Sequence, residues 1–117
     1  MRKLLLIPLA LGLAACGTPT RTQARDEMAN KTCDYYERCD QIGKGLTFAD
    51  RDACMIDQRG IWDDLWSIGK CEDRINDDGL RNCHARVEIA ACDGFQGALD
   101  LAQVFLACSS DNVCGGE

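Results

Sequence analysis

Nine cysteines are the groups in this 117-residue sequence most able to do chemistry. In an exported protein an odd number would leave one thiol unexplained once the others had paired. Cys16 is the cysteine that would remain without a disulfide partner, because it follows the basic residues Arg2 and Lys3 and the apolar stretch from Leu4 to Ala15. A basic start, an apolar run of this length and small residues before a cleavage point are typical of a signal peptide.

The residues Leu13-Ala14-Ala15-Cys16 match the lipobox of bacterial lipoproteins at all four positions, so the chain resembles a bacterial lipoprotein. The resemblance implies that a diacylglycerol thioether forms on Cys16, that the signal peptide of residues 1–15 is removed and that the new amino terminus is acylated. Two or more acyl chains anchor a protein stably. The alternatives are an ordinary secretory signal peptide or a buried helix.

The expected location is therefore the cell envelope. In enteric bacteria, lipoproteins without Asp after the lipidated cysteine usually reach the outer membrane, and this chain has Gly17 there. No apolar run reaches the roughly 18–20 residues that span a bilayer. Loss of Arg2 and Lys3 leaves 11 basic and 19 acidic side chains, so the net charge changes from −6 to −8. This acidic balance argues against a nucleic-acid partner.

The eight other cysteines predict four disulfides in an oxidising compartment. They are Cys33, Cys39, Cys54, Cys71, Cys83, Cys92, Cys108 and Cys114. We expect Cys39 to pair with Cys54, across the first turn between helices. No Cys-x-x-Cys pair occurs, and zinc bound by cysteine would need reduced thiols. We expect neither a metal nor a cofactor.

A single histidine is the main remaining candidate for catalysis. His84 could act as a general acid or base only beside a positioned nucleophile or carboxylate, so we interpret it as a partly covered surface residue. Asp63 and Asp64 are adjacent on a predicted helix and point about 100° apart, which does not suit a pair of glycosidase carboxylates. The pair Trp62 and Trp66 is predicted to lie in the core; an exposed tryptophan would instead anchor a partner or a sugar ring.

The stretch Asn76-Asp77-Asp78-Gly79 is similar to part of a calcium-binding EF-hand loop. The loop would then start at Arg74 and end at Ala85, where carboxylates are required. A helix-capping turn explains these residues better, and weak calcium binding by Asp73, Asp77 and Asp78 is the remaining alternative.

The apolar spacing predicts an all-α fold, a small disulfide-braced bundle of about four short helices. Residues 16–25 are expected to be a lipidated flexible tether, and residues 26–117 the cysteine-rich helical domain. The first helix is expected to end at Gly43 and Gly45, and the second to begin with a capping box at Thr47. Residues 67–76 are interpreted as a connector.

The third helix is expected to be capped by Asp77 or Asp78 and to stop at residues 92–94. The fourth should run through Leu101, Phe105 and Cys108, followed by a short tail that returns Cys114 to the body.

The body from Ala29 to Cys114 contains a set of residues of distinctive type and spacing. They are Tyr35-Tyr36-Glu37-Arg38-Cys39, Ile42-Gly43, Arg51, Cys54, Trp62, Cys71, and Leu80 with Cys83. Through these residues the body resembles a group of short, cysteine-rich predicted lipoproteins of myxobacteria and their relatives. The resemblance supports the location and the fold and carries no activity. We expect a non-catalytic interaction module that meets an envelope protein; the alternative is a small envelope hydrolase that uses His84 or a carboxylate.

Overall fold

Six helices make up the regular structure of residues 18–115, the part of the chain that the computed structural model describes. They are α1 (Arg21–Arg38), α2 (Arg51–Leu65), α3 (Ile68–Cys71), α4 (Asp77–Ile89), α5 (Gly94–Ala107) and α6 (Ser110–Val113). Within this range the only β pairing consists of two isolated bridges, Ile42 with Phe48 and Ile75 with Cys114. The prediction of a small all-α bundle of about four short helices is confirmed; α1, α2, α4 and α5 are those four, and α3 and α6 are single turns of four residues each.

The start of α1 corrects the predicted tether. Thr20 and Gln23 form a capping box, in which each side chain bonds the backbone of the other residue. This box starts the helix at Arg21, and Arg21 and Ala24 are buried. Residues 21–25 therefore belong to the folded body, and the prediction of a tether through residue 25 was wrong. Cys16, Gly17 and the predicted signal peptide of residues 1–15 lie outside the described residues.

The other helix ends also differ from the expected ones by a few residues. α1 ends at Arg38, before Asp40 adopts a left-handed backbone conformation (φ 56°). The side chain of Asp50, and not Thr47, caps α2, while the side chain of Asn76 caps α4. Side-chain oxygens at these positions accept backbone N–H groups that the first turn of a helix leaves unpaired.

The four longer helices run alternately in opposite directions. At one end of the bundle, Arg38 of α1 donates hydrogen bonds to the carbonyls of Val87 and Ala90 at the end of α4. At the opposite end, Arg21 donates to the Trp66 carbonyl, and the Trp66 indole N–H donates to the Cys108 carbonyl. This second end therefore collects the start of α1, the end of α2 and the end of α5.

Four disulfides join different parts of the bundle: Cys33–Cys54, Cys39–Cys92, Cys71–Cys114 and Cys83–Cys108. The expected Cys39–Cys54 pairing is wrong. Cys54 faces Cys33 within the antiparallel pair of α1 and α2, and both residues are fully buried. Cys39 lies past the last turn of α1 and reaches Cys92, in the connection between α4 and α5.

The core confirms the interpretation of the tryptophans. Trp62 and Trp66 are 2% and 0% exposed, and their ring centroids are 4.9 Å apart. The Trp66 carbonyl accepts from Arg21 at the start of α1, and its indole N–H donates to Cys108 at the end of α5. This one residue therefore joins three helices. Among the described residues, no helix has both the length and the apolar character needed to cross a membrane.

Candidate binding surface

One side of α5 exposes an unusual amount of apolar surface. Phe95 is 80% exposed, Leu106 71% and Phe105 59%. We define the outer face of α5 as the exposed apolar residues of this helix, which are Phe95, Ala98, Leu99, Leu101, Ala102, Phe105 and Leu106. At about 100° per residue they cover an arc of roughly 160°. A continuous apolar face of this width on a monomer indicates an interaction surface.

The outer face of α5 carries no charge. Asp100, the one charged residue of α5, lies on the opposite side of the helix. There its carboxylate accepts hydrogen bonds from the Ala91 backbone N–H (2.8 Å) and the Gln96 side chain (2.7 Å). These hydrogen bonds lower the pKa of Asp100, so the group stays ionised where it binds the connection between α4 and α5, and it leaves the apolar face uninterrupted.

Beside this face, an apolar slot separates α5 from α2. Ile61 and Trp62 of α2 line one wall, Leu101 and Phe105 of α5 line the other, and Tyr35 of α1 contributes to the lining between them. Its cavity volume is about 70 Å³, whereas pockets for drug-sized ligands measure roughly 300–1,000 Å³. The slot therefore suits an inserted apolar side chain better than a small-molecule substrate.

The spacing of apolar residues had indicated a helix through Leu101 and Phe105 but not which side faces the core. The buried residues of α5 are Gly97, Val104 and Ala107, while Leu101 and Phe105 are exposed. The signal that could have revealed the surface is the composition of the helix. Three polar residues in fourteen leave more apolar positions than one buried face can use.

His84 lies in a separate, polar cleft of about 510 Å³ between α1 and α4. Burial is the main cause that lowers its pKa; Glu27 and Glu88 act in the opposite direction, and Lys31 lowers it further. The Nε2 atom is buried without a hydrogen-bond partner among the described residues. His84 is therefore half-buried, as predicted, and is not hydrogen-bonded there to a carboxylate that could orient it for catalysis.

Two of the three carboxylates that line the same cleft are paired with arginines, and the third, Glu27, raises the pKa of His84 without a hydrogen bond to it. Asp26 accepts from Arg25 at 3.0 Å, and Asp77 accepts from Arg81 at 2.7 Å. Asp78 also binds Arg81. In residues 18–115 no group of three or more His, Cys, Asp or Glu side chains is placed to hold a metal ion. No contact in this cleft favours the hydrolase interpretation.

Asp63 has a structural role that the sequence did not reveal. Its carboxylate accepts hydrogen bonds from Arg21 (2.8 Å) and Arg25 (3.2 Å), and these bonds lower its pKa. The two arginines tie the first turns of α1 to the end of α2. Asp64 is exposed and takes no part in this contact.

Comparison with known proteins places residues 33–116 in a described family. No curated protein and no solved structure matches the chain. The family match includes all eight disulfide-forming cysteines and the whole of α5. It covers more than half of the sequence, and the chain therefore belongs to the family of unknown function DUF6184.

Proposed function

We propose that the protein is a lipid-anchored, non-catalytic binding module of the bacterial cell envelope. The observation that carries the binding role is the outer face of α5, where five large apolar side chains are exposed and none is charged. Exposed apolar surface is unfavourable in water. Because the face adjoins an apolar slot that suits an inserted side chain, a protein surface is the expected partner.

The lipobox supports the anchor. Cys16 would carry the lipid, and Gly17 after it favours the outer membrane. Four residues lie between Cys16 and Arg21, where α1 begins. The five steps from Cys16 to Arg21 would hold the folded body within about 17 Å of the lipid. A binding surface held this close to the membrane would meet other envelope proteins, and the acidic chain is not suited to nucleic acid.

The anchor is tested by the intact mass of the protein extracted from membranes, before and after reduction. We expect the mass of residues 16–117 plus acyl groups, and a gain of about 8 Da on reduction, two hydrogens for each of four bridges. A mass that retains residues 1–15, or one without acyl groups, would contradict lipid anchoring without affecting the binding role.

The binding role is tested by placing a photo-crosslinking benzoylphenylalanine at Leu106 in the full chain and irradiating intact membranes. Ile56 on α2 is the matched control, because both side chains are 71% exposed. We expect protein adducts from position 106 and not from position 56. Lipid adducts alone, or equal adducts at both positions, would contradict the proposed role.

A further inference from the structure

We propose that the outer face of α5 binds the same face of a second copy of this chain, with the two α5 helices antiparallel. The inference rests on the proposed function and names its partner. It starts from an internal symmetry of α5, whose residues 95–105 read FQGALDLAQVF. Residues at equal distances from Asp100 on the two sides are of the same type at three of five positions. These are Leu99 with Leu101, Ala98 with Ala102, and Phe95 with Phe105.

All three matched pairs lie on the outer face of α5, and the two unmatched pairs do not. At about 100° per residue, Ala98 and Ala102 lie nearest the centre of the face, which is opposite Asp100. Phe95 and Phe105 lie about 40° to either side, and the leucines about 80°. The face therefore has nearly the same side chains when the helix is read in either direction.

In a twofold contact about Asp100, this arrangement brings like side chains together. In an interface between identical chains, residue i contacts residue j of the partner and j contacts i. Two antiparallel α5 helices paired about Asp100 would place Ala98 against Ala102 of the partner subunit and Phe95 against Phe105 of the partner subunit. The small alanines let the backbones approach, and an aromatic pair fills each end.

The exposed area and the charge of the outer face of α5 agree with a second copy of the chain as the partner. The five large side chains of the face expose on the order of 600 Å², so two copies would bury about 1,200 Å², the lower end for a specific interface. Both copies are acidic, and the uncharged face lets them bind without placing like charges against each other. Confinement to one membrane through Cys16 would raise their effective concentration.

A bilayer surface is the less favoured occupant. Helices that lie in a membrane interface usually present Lys or Arg at their polar edges, and α5 contains neither. Contact with a bilayer would also give no reason for residues of the same type at equal distances on the two sides of Asp100. The contact is therefore assigned to a second copy, and lipid contact becomes an outcome of the test.

The test uses the full lipidated chain in intact membranes, with benzoylphenylalanine at Phe95 or at Phe105 and with Ile56 as the control position. We expect both phenylalanine positions, and not position 56, to give an adduct of twice the mass of the chain. An adduct with a different protein overturns this inference and supports the proposed function. Adducts with lipid alone overturn both.

A second pair of variants tests the register. Ala98→Glu should lower the yield of the double-mass adduct at least tenfold, whereas Ile56→Glu should leave it unchanged. When one tagged copy carries Ala98→Glu and the other Ala102→Lys, the adduct between them should recover, because these positions oppose each other across the twofold axis. Ala98 is exposed, so Ala98→Glu should not disturb the fold. An unchanged far-ultraviolet circular dichroism spectrum verifies this. Undiminished adduct in Ala98→Glu overturns the proposed contact.

Discussion

The end of the bundle where α5 finishes and the outer face of α5 differ in how completely their apolar groups are covered. At the end where α5 meets α2 and α6, which we term the closed end, Trp66 and Val113 are fully buried. The backbone of α6 approaches α4 so closely that a Cβ on Gly79 would lie 1.8 Å from the Asn112 carbonyl oxygen. On the outer face, Phe95 is 80% exposed. One apolar surface therefore stabilises the bundle, whereas the other is exposed and is the proposed binding surface.

The outward side of α1 also differs from the outer face of α5, because it carries ion pairs. Arg51 binds Asp34 and Glu37 there, each at 2.8 Å, and Lys31 pairs with Glu88. Such surface ion pairs add little stability, about 0–1 kcal/mol each, but they mark a helix that faces water. Among the ion pairs of the described residues, none involves α5.

The largest expected effect lies at the closed end. We expect Trp66→Ala to lower the free energy of unfolding by about 3–5 kcal/mol, because it leaves a cavity between three helices and an unpaired Cys108 carbonyl. Trp66→Phe keeps most of the apolar volume and should cost about 1–2 kcal/mol. Urea unfolding of the mature protein with its disulfides intact measures both. A loss below about 1 kcal/mol for the alanine variant would show that the closed end does not hold the bundle together.

Two glycines sharpen the comparison further. We expect Gly79→Ala to lower the free energy of unfolding by about 2–3 kcal/mol, because the new methyl group must push the backbone of α6 away from α4. Gly60 lies in α2 with open space around it, so Gly60→Ala should raise the free energy of unfolding by about 0.5–1 kcal/mol. Equal effects of the two substitutions in urea unfolding would contradict the close contact of α4 with α6.

Substitutions on the outer face of α5 should change the free energy of unfolding much less than those at the closed end. We expect Phe95→Ser to change the free energy of unfolding of the monomer by no more than about 0.5 kcal/mol, since the ring has few neighbours to lose. The measurement is urea unfolding in detergent at a concentration where the chain is monomeric. A loss of 2 kcal/mol or more, about the cost of a core substitution, would mean that Phe95 belongs to the core and not to a binding surface.

Fold class and cysteine use could be predicted because they depend on composition and local spacing. The apolar period and the absence of alternating strands indicated helices, and the parity of the cysteines indicated four bridges. The pairing could not be predicted, because three helices separate Cys39 from its partner Cys92 along the chain. The start of α1 was missed although Thr20 and Gln23 carried a capping-box signal, since the surrounding residues contain no large apolar side chain.

The binding surface was harder to predict than the fold. Periodicity shows that a helix has an apolar side but does not say which of two apolar sides is buried. In α5 the small residues Gly97 and Ala107 face the core while the phenylalanines face outward. Tertiary packing decided this, because a glycine at position 97 allows the backbone of residues 91 and 92 to approach α5.

The smallest expected effect concerns His84, which belongs to neither the closed end nor the outer face. Burial lowers its pKa below the ordinary value of 6.5, so the unfolded chain binds the proton more readily than the folded protein. The free energy of unfolding is therefore greatest above pH 6.5 and decreases as the pH falls through the lowered pKa. We expect the melting temperature to be lower at about pH 5.5 than at about pH 7.5, as measured by thermal unfolding at the two pH values. His84→Gln should reduce this fall, because His84 is the one histidine of the chain, and the lowered pKa values of Asp63, Glu88 and Asp100 place their titration at lower pH. An identical fall in the variant would show that burial of His84 does not contribute to stability in this range.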